Sequence, residues 1–500
     1  MKRREFIALT LILASVFSLL FYRNSLGINL IIFEWIIIPT MFYTHKPVRL
    51  NPLSKTILIL LIISSLMVVV INTPWTIFMN FVLMFSFSTL LVFKEFRSYI
   101  HSFIETIIRL FTTHFSSQNY INTNKEKLKL TNVFTKILLF GIIPFSILFL
   151  FLILYLSASS KFANTLQPFF SIFSNWFDNI NTTLFWVFAL GVIIINILLR
   201  KSKSIGLLAI DNKSQDKLER KRLRHIMSFS TMGLKTQNIM GIITLIALNL
   251  LLLLFNIIDI KTVWFFKWDG EFLKEFVHQG TWILIFAILF SALISLFLFK
   301  DNLNFYSKNK HIKQLTLIWL SQNIVLALSV IIRNYWYMTY FGLAYKRIAV
   351  LFFLLLAIFG LITIIIKITK SKTSFYLLRI NSMVAIIIIS ISSFIDWNII
   401  IAKYNFANYD KSFIEYRFMA KLEDSSLPYT IKTENELKII DSLQNKALPS
   451  IKNHPYYWSK ETYFEEIELK KHNFINKYKS QNLLEWNLSD YITYRKLTNK

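Results

Sequence analysis

Cysteine is absent from this 500-residue chain, and with it go disulfides, thiolate nucleophiles and sulfur-ligated metal sites. Glycine and proline are scarce, at 10 and 9 residues, and no Walker loop, GxGxxG, HExxH or GxSxG segment occurs. The 8 histidines are scattered one to a segment without an i, i+4 pair, so no zinc site is expected. Acidic residues are few: 28 Asp and Glu against 55 Lys and Arg give a net charge of +27. These absences leave no residue to assign to catalysis, to a cofactor or to a metal, and a non-enzymatic protein is the expectation.

What is present is apolar. Hydrophobic residues make up 55% of the chain, including 48 phenylalanines, a composition foreign to soluble globules. The bilayer must be its solvent. Eleven runs are long enough to cross a hydrocarbon core: 6–22, 28–43, 56–71, 75–93, 137–156, 183–199, 239–258, 281–299, 315–332, 348–366 and 380–395. The first follows the basic Met1 to Arg4 but lacks a small-residue cleavage site, so it reads as a retained span rather than a signal peptide. Lys and Arg gather in alternate loops, which predicts that the N-terminus and these loops are cytoplasmic in a bacterial inner membrane. Anionic headgroups account for the same clusters, with no nucleic-acid partner. An odd span count puts the tail outside the cytoplasm. The expected fold class is an all-α integral membrane protein of about eleven transmembrane helices, with a polytopic domain over 1–397 and a small, mostly helical soluble tail over 398–500.

Between the ninth and tenth runs lies an aromatic, basic elbow, RNYWYMTYFGLAYKR, from Arg333 to Arg347. Arg333, Tyr337, Phe341, Ala344 and Arg347 recur at the spacing of one helical face. Its rings suit the headgroup boundary, and its arginines can snorkel to phosphates. The elbow reads either as an interfacial anchor or as a clamp in which Arg333, Tyr337, Gly342 and Arg347 contact an anionic headgroup or substrate. The spacing Arg333, Tyr337, Phe341-Gly342-Leu343, Arg347 resembles the signature of a bacterial family of polytopic membrane proteins known only as a domain of unknown function. That pattern carries tyrosine and threonine where this chain has Phe341 and Ala344, and aspartate where it has Asn398. IAKYNF (401–406) and FMAKLEDSSLP (418–428) are similar to the family's segments after its last span. The resemblance runs from about Ser321 to Pro428 and implies a fold, not a mechanism.

Polar groups at membrane depth are the remaining candidates. Glu34, mid-run in IIFEWIIIP, must face the bundle; it reads as a proton or cation site, or as a neutral acid bonded to a neighbouring helix. Gln322 and Asn323 lie about three turns below Arg333 and join Glu34 in a candidate polar path, whereas Asn80, Asn196, Asn249 and Asn256 read as interhelical glue. Phe96, Ile100, Phe103, Ile107, Leu110 and Phe111 predict a surface helix lying in the headgroups. KLERKRLRHIM is predicted to be a helix capped by Ser214, Gln215 or Asp216. In the tail, 411–424, 434–448 and 461–479 read as amphipathic helices separated by Pro428, Pro449 and Pro455. An acidic pair on the first outer loop, shared by glycosyltransferases that use lipid-phosphate donors, has no counterpart in Arg23 to Gly27. The functional expectation is a scaffold, sensor or assembly partner, with anionic lipid headgroups and a protein on the tail as its partners. A transporter or lipid-handling permease built on Glu34, Gln322, Asn323 and the elbow arginines is the alternative.

Overall fold

The computed structural model describes residues 3–47, 49–113, 182–201, 206–220, 231–265, 273–299, 302–447 and 458–498, with isolated positions between 148 and 165. Among these the chain is all-α, without a strand. In order come α1 (Arg3–Phe21), α2 (Ile28–His45), α3 (Pro52–Val70), α4 (Pro74–Val92), α5 (Tyr99–Thr112), α6 (Thr182–Leu199), α7 (Leu207–Lys213) and α8 (Thr231–Asp259), which runs into a π-helical turn, Ile260–Trp264. Then follow α9 (Leu273–Leu298), α10 (Lys310–Phe341), α11 (Tyr345–Thr369) and α12 (Ser374–Ser393). The tail contains α13 (Trp397–Ala407), α14 (Tyr416–Ala420), α15 (Leu427–Thr430), α16 (Glu434–Ala447), α17 (Lys460–Ser480) and α18 (Leu488–Thr498).

Ten of these helices are long and apolar enough to cross a bilayer, and each coincides with a run read from the sequence. The run 137–156 lies outside the described residues. The chain is a multi-pass membrane protein. Local chemistry starts its helices sharply: Asn51 and Thr73 accept the Ser54 and Thr76 backbone N–H groups, and Pro52 and Pro74 occupy the first turn, where a missing N–H costs nothing.

The spans form two cores. Phe17, Phe33, Ile37, Ile57, Leu83 and Ile195 join α1 to α4 with α6; Leu245, Ile285, Leu326 and Leu354 join α8 to α11. Helix α12 belongs to both, giving Ile386 to the first and Leu377 to the second. A third core fills the tail around Phe406, Tyr416, Leu437, Tyr463 and Ile467, and it takes in Ile348 from the first turn of α11. The tail and the membrane bundle therefore share buried surface at residue 348 rather than meeting through a linker.

The amphipathic α5 lies on the bundle with its polar side inward. Ser102, Glu105, Thr106 and Arg109 are buried, while Ile104, Ile107 and Phe111 are exposed. Its Arg109 guanidinium, only 1% exposed, donates to the Ile197 and Arg200 carbonyls at 2.8 and 3.0 Å and to the Thr89 hydroxyl at 2.9 Å. A cation at the end of α6 satisfies carbonyls that have no N–H of their own. From α7, the buried Asp211 carboxylate accepts the N–H groups of Arg97 and Ser98 at 2.8 and 3.2 Å, capping α5 across space.

Two local expectations fail. Ser214 ends α7 instead of starting a helix, its N–H bonded to the Ile210 carbonyl. Beyond it the chain runs extended against the α11–α12 turn: the Leu218 N–H donates to Ser371, the Thr373 N–H donates to the Asp216 carbonyl, and the Asp216 carboxylate accepts from Arg379 at 2.5 Å. Pairing with Arg379 outcompetes capping. The helix expected over 411–424 is the single turn α14, and Pro428 lies inside α15 rather than between helices. Residues 221–230, and with them most of KLERKRLRHIM, lie outside the described residues, as do Pro449 and Pro455.

Replacing Arg109 with Met leaves the Ile197 and Arg200 carbonyls without this donor. The expected cost is about 3 kcal/mol, read as a lowered onset of heat aggregation of the detergent-purified protein, with Arg109→Lys intermediate.

Candidate functional site

The elbow is a tight hairpin, not one helix. Helix α10 stops at Phe341 because Gly342 adopts φ +78°, and a Cβ there would meet Asn405 Oδ1 at 2.7 Å. Gly342 to Ala344 link α10 to α11, so the continuous face expected from Arg333 to Arg347 is broken. Asn405 of α13 fills the turn, accepting the Leu343 N–H at 2.6 Å and donating to the Leu343 carbonyl at 3.0 Å. Arg347 folds back over α10: it donates to the Phe341 carbonyl at 2.7 Å and to the Gly342 carbonyl, and lies 4.1 Å above the Tyr337 ring. It is a C-terminal cap by charge and by cation–π contact.

Arg333 points elsewhere. Its guanidinium pairs with the Asp259 carboxylate at the end of α8, both side chains nearly excluded from solvent. Around the pair, the indole N–H of Trp336 donates to the Val263 carbonyl at 2.9 Å, and that of Trp264 donates to Ser329 at 2.8 Å. The π-helical turn carries both Val263 and Trp264; such a turn shifts the i→i−4 ladder and opens backbone groups to side-chain partners.

Below this pair α8 and α10 run in the same direction, joined by a polar ladder. Asn249 donates to the Leu315 carbonyl at 3.1 Å, Gln322 donates to the Asn249 side chain at 3.2 Å, and Asn256 donates to the Gln322 carbonyl at 3.1 Å. Asn323 turns into its own helix, donating to the Trp319 carbonyl at 2.8 Å. Gln322 is thus part of the joint between two spans.

Glu34 sits in the other core, fully buried. Its polar neighbours are Asn80 of α4 and Ser65 of α3, yet neither carboxyl oxygen has a hydrogen-bond partner of ordinary geometry among the described residues, nor has either amide atom of Asn80. Helix α2 also carries Pro39, which cannot donate to the Trp35 carbonyl one turn back.

The tail grips both regions on one face. The Ile28 N–H donates to the Trp486 carbonyl at 3.0 Å, Ser25 donates to Glu485 at 2.9 Å, and Asn482 donates to Asn24 at 2.7 Å. A Cβ on Gly27 would sit 2.3 Å from the Glu485 carbonyl oxygen, so only glycine admits this contact. At the elbow, the Phe413 N–H donates to the Tyr340 carbonyl at 3.0 Å. The Tyr345 hydroxyl donates to Asn398 Oδ1, which also accepts the Glu423 N–H at 3.0 Å. Both bonds need only an acceptor at 398, so an aspartate there would serve as well as this asparagine.

Of the residues singled out from sequence, Tyr337, Gly342 and Arg347 meet in the elbow, Arg333 stands beside them in a separate pair, and Glu34 lies in a different core from Gln322 and Asn323. Sequence reasoning passed over Asp259, Asn405 and Trp264 as site residues, and read Trp336 only as one of the elbow rings at the headgroup boundary. Asp259 was legible, because an acid ending one apolar run and an arginine ending another are natural partners.

Two outcomes are expected. Arg333→Gln or Asp259→Asn alone strands a buried charge and costs about 3–5 kcal/mol, whereas Asp259→Leu with Arg333→Met recovers most of it; a double-mutant cycle on thermal unfolding in detergent measures the coupling. Ala344 is the N-cap of α11 in extended conformation without a side-chain cap, so Ala344→Thr should stabilise by about 1 kcal/mol in the same assay.

The family model described as Domain of unknown function (DUF4153) matches residues 57–433. That stretch takes in the elbow, the α8–α10 ladder and the first turns of the tail, and leaves Glu34 outside it. No curated protein and no solved structure matches the chain. Since the match covers well over half of its length, this chain belongs to the DUF4153 family.

Proposed function

We propose that the protein is a membrane-embedded platform of the bacterial cytoplasmic membrane, a scaffold or sensor that holds its tail in a fixed pose on the extracytoplasmic face for a protein partner. The observation that carries this reading is the double attachment of the tail, by backbone and side-chain bonds at Gly27–Ile28 and again at Tyr340–Tyr345. A domain fixed at two separated points presents a constant surface, which a partner can read without ordering it first. Leu469 and His472, exposed on α17, belong to that surface.

Charge supports the orientation. The N-terminus, Lys94, Arg97, Arg109, Arg200 and Arg379 belong to the face opposite the tail, as the positive-inside bias requires. Exposed Ile104, Ile107 and Phe111 on α5 suit the acyl boundary beneath anionic headgroups. The permease reading is second, because its polar groups are divided between two cores.

Absence of cysteine makes the test direct. In intact cells, an impermeant maleimide is expected to label Ser480→Cys and to spare Lys213→Cys, which reacts only after lysis; the reverse pattern refutes the orientation. A photoactivatable residue at position 469 or 472 is expected to give a protein adduct of discrete mass, and one at lipid-facing Phe286 to give none. If the tail positions yield no adduct while Glu34→Gln abolishes a transport phenotype, the permease reading replaces the platform.

A further inference from the structure

Glu34 and Asn80 present four side-chain polar atoms, all buried and all without a hydrogen-bond partner of ordinary geometry among the described residues, with Ser65 as a further polar neighbour. Both residues are fully excluded from solvent. Leaving such groups unpaired is costly in a setting without water. With the Ser65 hydroxyl donating to the Ile62 carbonyl at 3.0 Å, Glu34 and Asn80 have one complete solution between themselves. A carboxylate has acceptors only, so it can take the Asn80 N–H but leaves Asn80 Oδ1 with no donor. A carboxylic acid supplies the missing donor: its O–H meets Asn80 Oδ1 while its carbonyl receives the Asn80 N–H, and all four atoms are used.

We propose that Glu34 and Asn80 form a proton-binding site between α2 and α4, in which the protonated carboxyl pairs head to head with the carboxamide. Binding forms an O–H bond at one carboxyl oxygen of Glu34 from a proton of bulk water, and release returns that proton to water. The site is independent of the tail's role as a platform. The three residues lie at one level: Glu34 is six residues from the tail-side end of α2, Asn80 six from that of α4 and Ser65 five from that of α3. This is about 8–9 Å along each axis at about 1.5 Å per residue. No charge on the surrounding elements stands at that level. Helix α1 carries Arg3, Arg4 and Glu5, α3 carries Lys55, α5 carries Glu105 and Arg109 and α12 carries Arg379, all toward the opposite end; α4 and α6 carry none in their spans. His45 ends α2 on that opposite side, and Arg23 and Glu485 stand on the tail side, Glu485 bonded to Ser25. A lone buried carboxyl without a counter-cation in a span is a group that a bilayer holds neutral.

The test uses the full chain in lipid nanodiscs. Infrared difference spectra between the wild type and Glu34→Gln, from about pH 5 to about pH 9, are expected to contain the carbonyl stretch of a protonated carboxylic acid that the variant lacks. Asn80→Leu, or Asn80→Ser if the former does not insert, should move that band to the frequency of an acid without its amide partner. Dicyclohexylcarbodiimide, which adds to protonated carboxyls in apolar surroundings, should modify the Glu34 peptide and fall to background in Glu34→Gln. Carboxylate bands alone across the whole range overturn the proposal. So does an acid band unmoved by either Asn80 variant. Loss of the band and of carbodiimide reaction on adding sodium, at constant pH, overturns it in favour of a cation site.

Discussion

A polar group inside a bilayer has no water to bond to, and the arrangement of this protein follows from that constraint. Some of these groups bond the carbonyl one turn back in their own helix, as Thr10, Ser295 and Asn323 do, and others tie one helix to its neighbour. Asn249, Gln322 and Asn256 join α8 to α10, Arg333 and Asp259 close the same joint at its end, and Arg109 joins α5 to α4 and α6. Apolar contact alone holds helices together weakly in lipid, because lipid tails are as apolar as leucine. Packing gives these interfaces their shape, and the polar ties fix which helices meet.

The same logic explains why the elbow arginines are turned inward. Arg347 caps the carbonyls that α10 leaves open at Gly342, and Arg333 neutralises the carboxylate that α8 carries at its end. The backbone carbonyls and the Asp259 carboxylate accept the guanidinium N–H groups that a lipid phosphate would otherwise accept. The rings between them, Trp336 and Tyr337 above all, complete the arrangement with an indole donor and a π face. The elbow is therefore the hinge-pin of the second core and, through Asn405 and Asn398, the seat of the tail.

Helix α2 stands apart in this scheme. It carries an acid without a counter-charge, it carries a proline one turn later, and its first N–H is held by the tail at Trp486. Elsewhere in the bundle Asn249, Asn256, Gln322 and Arg109 stabilise joints between helices. Glu34 has no such bond of ordinary geometry among the described residues, and it lies on the helix whose end the tail holds.

The sequence by itself determined the medium, the class and the positions of the spans, though several helices run five to nine residues beyond the apolar stretch that marked them. Uninterrupted apolar runs can only be satisfied in lipid, and a helix in lipid bonds its own backbone, so ten described spans fall where their runs predict. The periodicity of α5 was legible too, but not that its polar side would face the protein, since a hydrophobic stripe does not say whether lipid or protein covers it. The tertiary structure alone decided the partners. That Arg333 meets Asp259 and not Arg347, that Asp216 pairs with Arg379 instead of capping a helix, and that Glu34 and Gln322 occupy separate cores all depend on contacts between residues distant in the chain. Spacing along one helix fixes a face; which neighbour that face meets is set by packing, and the chain order does not encode it locally.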